Sequence, residues 1–99
     1  MNVLMVTSKV KEENVADGKA AVDKLIRALE QAQPEGVRYA VTLLSDGVTI
    51  VAFLVLEPGQ EHPLRTFPAY VELLENFEPW RAEPATADLM TVLGSYRLF

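Results

Sequence analysis

The segment Val37-Arg38-Tyr39-Ala40-Val41-Thr42-Leu43-Leu44-Ser45-Asp46-Gly47-Val48-Thr49-Ile50-Val51-Ala52-Phe53-Leu54-Val55-Leu56 decides the fold. Two runs of β-branched and apolar residues, Val37–Leu44 and Val48–Leu56, flank Asp46-Gly47. Asp-Gly readily takes the positive φ angles of a type I′ turn, so the segment reads as an antiparallel hairpin. With a two-residue loop, Leu43 opposes Ile50, Val41 opposes Ala52 and Tyr39 opposes Leu54. One face is then Val37, Tyr39, Val41, Leu43, Ile50, Ala52, Leu54 and Leu56, almost wholly apolar. The other carries Arg38, Ala40, Thr42, Leu44, Thr49, Val51, Phe53 and Val55. A three-residue loop would slip the register and mix the two sets.

Upstream, residues 3–11 lack Gly and Pro and read as a strand. Glu12 and Glu13 suit the positive end of a helix dipole, and Asn14 with Asp17 has capping-box spacing. Val15, Gly18, Val22, Leu25, Ile26 and Leu29 recur at three- and four-residue steps, predicting a helix over about 12–33. Pro34 and Gly36 are its stop signals. Downstream, 57–63 is a loop by composition. Thr66 is the expected N-cap of a second helix over about 66–77, with Pro68 in its first turn and Phe67, Tyr70, Val71, Leu74 and Phe77 at helical spacing. Trp80–Ala87 reads as a connector and Leu89–Phe99 as a last strand, with Gly94 marking a bulge or a close backbone approach. The order β-α-β-β-α-β in one domain, residues 1–99, points to an α+β ferredoxin-like fold: a four-stranded antiparallel sheet with both helices on one face.

Composition narrows the function classes. The chain has 99 residues, a net charge of −5 and no cysteine. Its acidic total argues against nucleic acid as a partner. Thiolate metal sites, disulfides and cysteine nucleophiles are excluded. No apolar run approaches the ~20 residues of a membrane helix. The opening Met1-Asn2-Val3-Leu4-Met5-Val6-Thr7 has no basic start, so no signal peptide is expected and the expected setting is the cytoplasm. A lone histidine among scattered carboxylates lacks a convergent ligand set, so no metal is expected.

Two helices cover one face of such a sheet. In a monomer the other face should alternate cleanly with polar residues. Here it holds Leu44, Val51, Phe53 and Val55 in the hairpin, and the first and last strands are apolar on both faces. A patch spanning several strands exceeds the ~300–600 Å² normal for a monomer. A homodimer through the sheet face is therefore expected.

The strand end Lys9-Val10-Lys11 leads into a Glu-rich helix start. Pro34-Glu35-Gly36-Val37-Arg38-Tyr39, the Asp46-Gly47 hairpin, Pro63-Leu64 and Val92-Leu93-Gly94-Ser95-Tyr96 follow it. On these residues the chain resembles, over essentially its whole length, the dimeric α+β barrel superfamily and its antibiotic-biosynthesis monooxygenase-like group. The resemblance implies a pocket in each protomer between sheet and helices. It also implies chemistry on aromatic or polyketide-like molecules without a prosthetic group, hence no cofactor. Haem-opening relatives use an Asn on the first strand with a Trp and a His linked to the second helix. Here Asn2 precedes the first strand, Trp80 follows the second helix and His62 precedes it, so that branch does not fit. The polyketide branch has an Asn, a Trp and an Arg, residue types that Asn76, Trp80 and Arg81 supply.

Among the side chains, His62 alone has an ordinary pKa near neutrality, which makes it the candidate catalytic acid or base; its alternative is a surface loop histidine. Trp80 can stack on a planar ligand or pack over the helix end. Arg81 can bind a carboxylate or phenolate. Arg38 can do the same or form an ion pair between subunits. Tyr39, Tyr70 and Tyr96 can each donate to a ligand or to backbone. Two functions follow: a cofactor-independent monooxygenase acting on a planar organic molecule, or a non-catalytic ligand-binding or interaction module on the same dimeric barrel. An open apolar cavity with two or three converging polar groups favours the first.

Overall fold

Strand β1 (Asn2–Lys9) lies inside the sheet because both of its edges are paired. In the computed structural model, which describes residues 1–99, it runs antiparallel to β3 (Thr49–Leu56) on one side and to β4 (Thr86–Thr91) on the other. Strand β2 (Tyr39–Leu43) completes the order β2-β3-β1-β4. Helices α1 (Val15–Ala32) and α2 (Pro68–Phe77) connect the strands. They pack on the face that carries Ile50 and Leu54, where Leu25, Tyr70, Leu73 and Phe77 join them in one buried cluster. This is the expected ferredoxin-like β-α-β-β-α-β arrangement.

The hairpin register is the expected one: Tyr39 opposes Leu54, Val41 opposes Ala52 and Leu43 opposes Ile50. The turn is not. Leu44 N–H donates to the Thr49 carbonyl at 2.9 Å, and Gly47 N–H donates to that of Leu44 at 3.0 Å. Gly47 has φ +76°, whereas Asp46 is not among the residues of positive φ, as a type I′ turn requires. Residues 45–48 form the loop. Two- and four-residue loops leave the same pairing, so the faces survive the wrong turn. Asp46 explains the choice: its carboxylate accepts from Thr49 Oγ1 (2.6 Å) and from the N–H groups of Val48 (3.0 Å) and Thr49 (2.9 Å).

Those bonds, the Thr49 hydroxyl first, lower the Asp46 pKa from its ordinary 3.8. A depressed acid stabilises the fold fully above its unfolded pKa, and that contribution is lost as pH falls through the folded one. Asp46→Ala is expected to lower the melting temperature at neutral pH. The gap to wild type should close below pH 3.8, as followed by circular dichroism melts across pH.

Other ends differ from the sequence reading. A single 3-10 turn, Glu12–Asn14, precedes α1, and the Asn14 side chain donates to the Asp17 carboxylate at 3.0 Å rather than capping the backbone. The helix does stop where expected, at Gln33, which is left-handed at φ 46° and immediately precedes Pro34. Phe67, not Thr66, is the N-cap of α2, because Pro68 fixes the first turn. β4 starts earlier than expected and ends at Thr91. Antiparallel pairing puts Asn2 opposite Thr91, so beyond Val92 no residue of β1 lies opposite the chain. Gly94 therefore marks no bulge; it lies past the sheet.

The face away from the helices is also less uniform than expected. Register and alternation place Val3 and Met5 of β1 and Val51, Phe53 and Val55 of β3 on it. β4 contributes Met90 but also Asp88 and Thr86, so the apolar stripe follows the two inner strands. Residues 92–99 extend from β4 with Leu93 99% exposed and Tyr96 and Leu98 mostly so. A groove of about 530 Å³ separates Leu98 and Phe99 from Arg38, Ala40, Phe53 and Val55.

Candidate functional site

Between the sheet and the helices lies a cavity with about 40 Å³ of space for water-sized molecules. Its floor is Val6 and Ser8 of β1, Tyr39 and Val41 of β2, and Ile50 and Ala52 of β3. Tyr70, Leu73, Leu74 and Phe77 of α2 form its roof, with Val22 of α1 and Arg81 at its sides. The inward set follows from strand alternation: Tyr39 and Val41 stand opposite Leu54 and Ala52, so they share the helix-facing side. α1 approaches closely because residue 18 is glycine; a Cβ there would sit 3.3 Å from Ile50 Cδ1.

Val22, Val41 and Ile50 also line an outer groove of about 270 Å³ between α1 and the hairpin, with Lys19, Asp23 and Ile26 on the helix side. The inner space has room for a few waters at most.

Arg81 owes its place to a feature the sequence did not show. Residues 80–82 do not form a free connector. Lys11 N–H donates to the Trp80 carbonyl and Ala82 N–H to that of Lys9, each at 2.8 Å, and Arg81 bridges Val10. The Arg81 side chain, 17% exposed, holds Glu78 Oε2 through Nη1 at 2.6 Å, while its Nε is buried without a partner. Tyr39 and Tyr70 meet edge to face with centroids 6.4 Å apart. Burial raises the pKa of Tyr39, and Tyr70 adds to it. Burial likewise raises that of Tyr70, with Arg81 pulling the other way. Both phenols are protonated at neutral pH.

Of the residues singled out from the sequence, Tyr39, Tyr70 and Arg81 line the cavity. His62 and Trp80 stand one layer behind it: the imidazole lies 5.1 Å from the Tyr70 ring, and the indole 5.7 Å from the Phe77 ring. His62 Nδ1 accepts from Leu64 N–H at 3.2 Å, and burial, followed by Arg65, lowers its pKa from 6.5, so the ring is neutral at pH 7. Asn76 faces elsewhere, in a crevice with Ala21, Leu25 and Glu72. Ser8 was missed. Its signal was present: in the inward-facing row Leu4, Val6, Ser8, Val10 it is the one polar residue. There is no cluster of three or more potential metal-ligating side chains, and no helix is long and apolar enough to cross a membrane.

No family model matches the chain, and no curated protein does. Solved structures do. A Nitrosomonas europaea protein assigned to the antibiotic-biosynthesis monooxygenases superimposes with a TM-score of 0.77 at 20% identity, over 95% of this chain and 100% of that one. The chain has the antibiotic-biosynthesis-monooxygenase fold. A Deinococcus radiodurans protein of the same assignment gives a TM-score of 0.75 at 12% identity, over 100% and 99% of the two chains. A Streptomyces coelicolor monooxygenase in complex with the ligand nanaomycin D gives 0.67 at 22% identity, over 96% and 89%. The likeness is one of fold.

Proposed function

We propose that the chain is a homodimeric, cytoplasmic, cofactor-independent monooxygenase-like protein that takes a small hydroxylated aromatic molecule between sheet and α2. The observation that carries this reading is the meeting of Ser8, Tyr39, Tyr70 and Arg81 at a largely apolar cavity that adjoins an open groove. The monooxygenase of the same fold with a bound polycyclic ligand adds support. In this reading Tyr70 and Arg81 contact the ligand, His62 and Trp80 support Tyr70 and Phe77 from behind, and Asn76 has no role. The substrate itself supplies the electrons. An electron-rich phenol reacts with O2 at its para carbon; one oxygen becomes the new quinone carbonyl and the other leaves as water with the two hydrogens lost. The protein binds, orients and excludes water.

The dimer rests on Met5 and Phe53, the half-buried members of the apolar stripe of β1 and β3, and on the exposed side chains of residues 92–99, which a second copy would cover together.

Oxygen uptake with a panel of hydroxylated aromatics tests the enzyme reading. Wild type is expected to consume oxygen faster than the protein-free control. Arg81→Gln and Tyr70→Phe are expected to lose at least about tenfold of that rate, in line with removal of one positioned polar contact. His62→Ala should retain most of it, since the imidazole does not reach the cavity. One observation favours the non-catalytic module instead: no carboxylate or imidazole lines the cavity to act as a base. Tight binding without oxygen uptake in wild type would decide for that module.

A further inference from the structure

His62 precedes Pro63 in the segment that leads into α2, and its ring acts there as an asparagine side chain acts in a turn. Its Nδ1 accepts the N–H of the residue two places on, Leu64, at 3.2 Å. Pro63, between them, has no N–H to compete. Backbone bonds close the rest of the segment: the His62 carbonyl accepts from Arg65 N–H at 3.2 Å, and the Leu64 carbonyl from Phe67 N–H at 3.0 Å. What the turn secures is Leu64, which is 0% exposed in the core cluster with Val10, Leu25 and Leu73. The imidazole also lies against Tyr70 of α2. An imidazole accepts at Nδ1 only while it is neutral, with its proton on Nε2. Protonation puts a second N–H where the acceptor was, aimed at the N–H of Leu64. Two groups face the ring, the Tyr70 phenol from α2 and the Arg65 guanidinium from its own turn, and neither offers negative charge. The ion pairs of the chain, Lys24–Glu72, Arg27–Asp23 and Arg81–Glu78, leave it out. The charged ring therefore meets a donor and a like charge.

We propose that His62 is an acid-released latch on residues 62–67: the neutral ring holds Leu64 in the core, and the charged ring lets the segment open. The proposal stands apart from the small-molecule reading, since latch and cavity share only Tyr70. Burial, followed by Arg65, lowers the pKa of the ring from its ordinary 6.5, the direction that the geometry requires. A histidine whose folded pKa is depressed binds its proton more readily in the open form. Its contribution to holding the segment is therefore complete above pH 6.5 and is lost as pH falls from there through the folded value. His62 is the one histidine of the chain, and ordinary carboxylates titrate near about pH 4, so the two windows separate. The opening is local: when the turn lets go, the N–H of Leu64 loses its acceptor and Tyr70 loses a ring neighbour, while the ladders of the sheet stay paired.

Amide hydrogen exchange followed by NMR tests the latch, with His62→Asn beside wild type. Asparagine before proline keeps an oxygen acceptor for the Leu64 N–H and does not titrate. In wild type, protection of the Leu64 amide is expected to fall at least about fivefold between about pH 8 and about pH 5, the effect of one buried donor left unpaired. Protection of Leu54, 2% exposed in β3, should stay level over the same range. The fall should begin near the ordinary histidine value of 6.5 and level off where the Cε1 proton of His62 titrates. In His62→Asn the Leu64 protection should stay level, and in His62→Ala it should be low at every pH. Level protection in wild type, or an equal fall in wild type and His62→Asn, overturns the proposal. A fall shared by Leu54 overturns it too, because it marks unfolding of the whole domain. Where a variant does not fold, wild type decides alone: a fall that levels off at the His62 titration supports the latch, and one that continues well below it overturns it.

Discussion

Alanine in place of Leu64 is expected to destabilise the protein by about 2–5 kcal/mol, a large share of the ~5–15 kcal/mol that holds a domain of this size together. Leu64 is 0% exposed, although it belongs to no helix or strand. It plugs the core from the segment before α2, in one cluster with Val10, Leu25, Leu54 and Leu73. Its backbone is fixed at both ends: the N–H donates to His62 Nδ1 at 3.2 Å, and the carbonyl accepts from Phe67 N–H at 3.0 Å. A site held this firmly cannot collapse around a smaller side chain, which puts the loss toward the upper half of the range. Urea titration of Leu64→Ala beside Thr66→Ala makes the comparison. Thr66 is exposed and caps nothing, so its substitution should stay within about 0.5 kcal/mol of wild type. Equal midpoints for the two variants would show that the segment is not part of the cooperative core.

Leu64 also marks where the sequence stops being legible. The hairpin register, both helices and the chain order could be read, because each rests on a local period or a turn signal: Val41 against Ala52, the row from Val15 to Leu29, Asp46-Gly47. Leu64 has no periodicity to betray it, since a loop residue is buried by what crosses over it. β4 was misplaced for a related reason. Residues 86–91 contain Thr, Ala and Asp and look less strand-like than Val92–Phe99. The backbone of β1, however, lies opposite 86–91, so pairing overrode propensity. The site divides the same way. Tyr39, Tyr70 and Arg81 were found as chemical types. Ser8 enters the cavity only because β1, β2 and α2 are stacked. His62 and Trp80, the two residues with the most conspicuous chemistry, are held behind the wall by contacts with Tyr70 and Phe77 that no spacing reveals.

Phe53→Lys is expected to turn a dimer into a monomer. Phe53 lies at the centre of the face away from the helices, opposite Met5 of β1 and Ala40 of β2. A two-fold axis through that face would bring both copies of any central residue into one interface, so a single substitution enters twice. Each unpaired buried ammonium costs about 3 kcal/mol or more, and two of them raise the dissociation constant by at least about four orders of magnitude. Light scattering at micromolar concentration should therefore give the mass of two chains for wild type and of one chain for Phe53→Lys, with partial precipitation where the bared Met5 and the exposed Leu93, Tyr96 and Leu98 find other copies. Glu30→Lys, a charge change on the exposed side of α1, should leave the dimer intact. Removal of residues 92–99 supplies an independent arm: Leu93, Tyr96 and Leu98 have almost nothing to cover within one chain, so their loss should weaken the dimer while leaving the melting of the monomer core nearly unchanged. A wild type that scatters as a single chain would contradict the dimer. It would also leave Leu93, Tyr96 and Leu98, exposed together on the segment after β4, in need of a different partner.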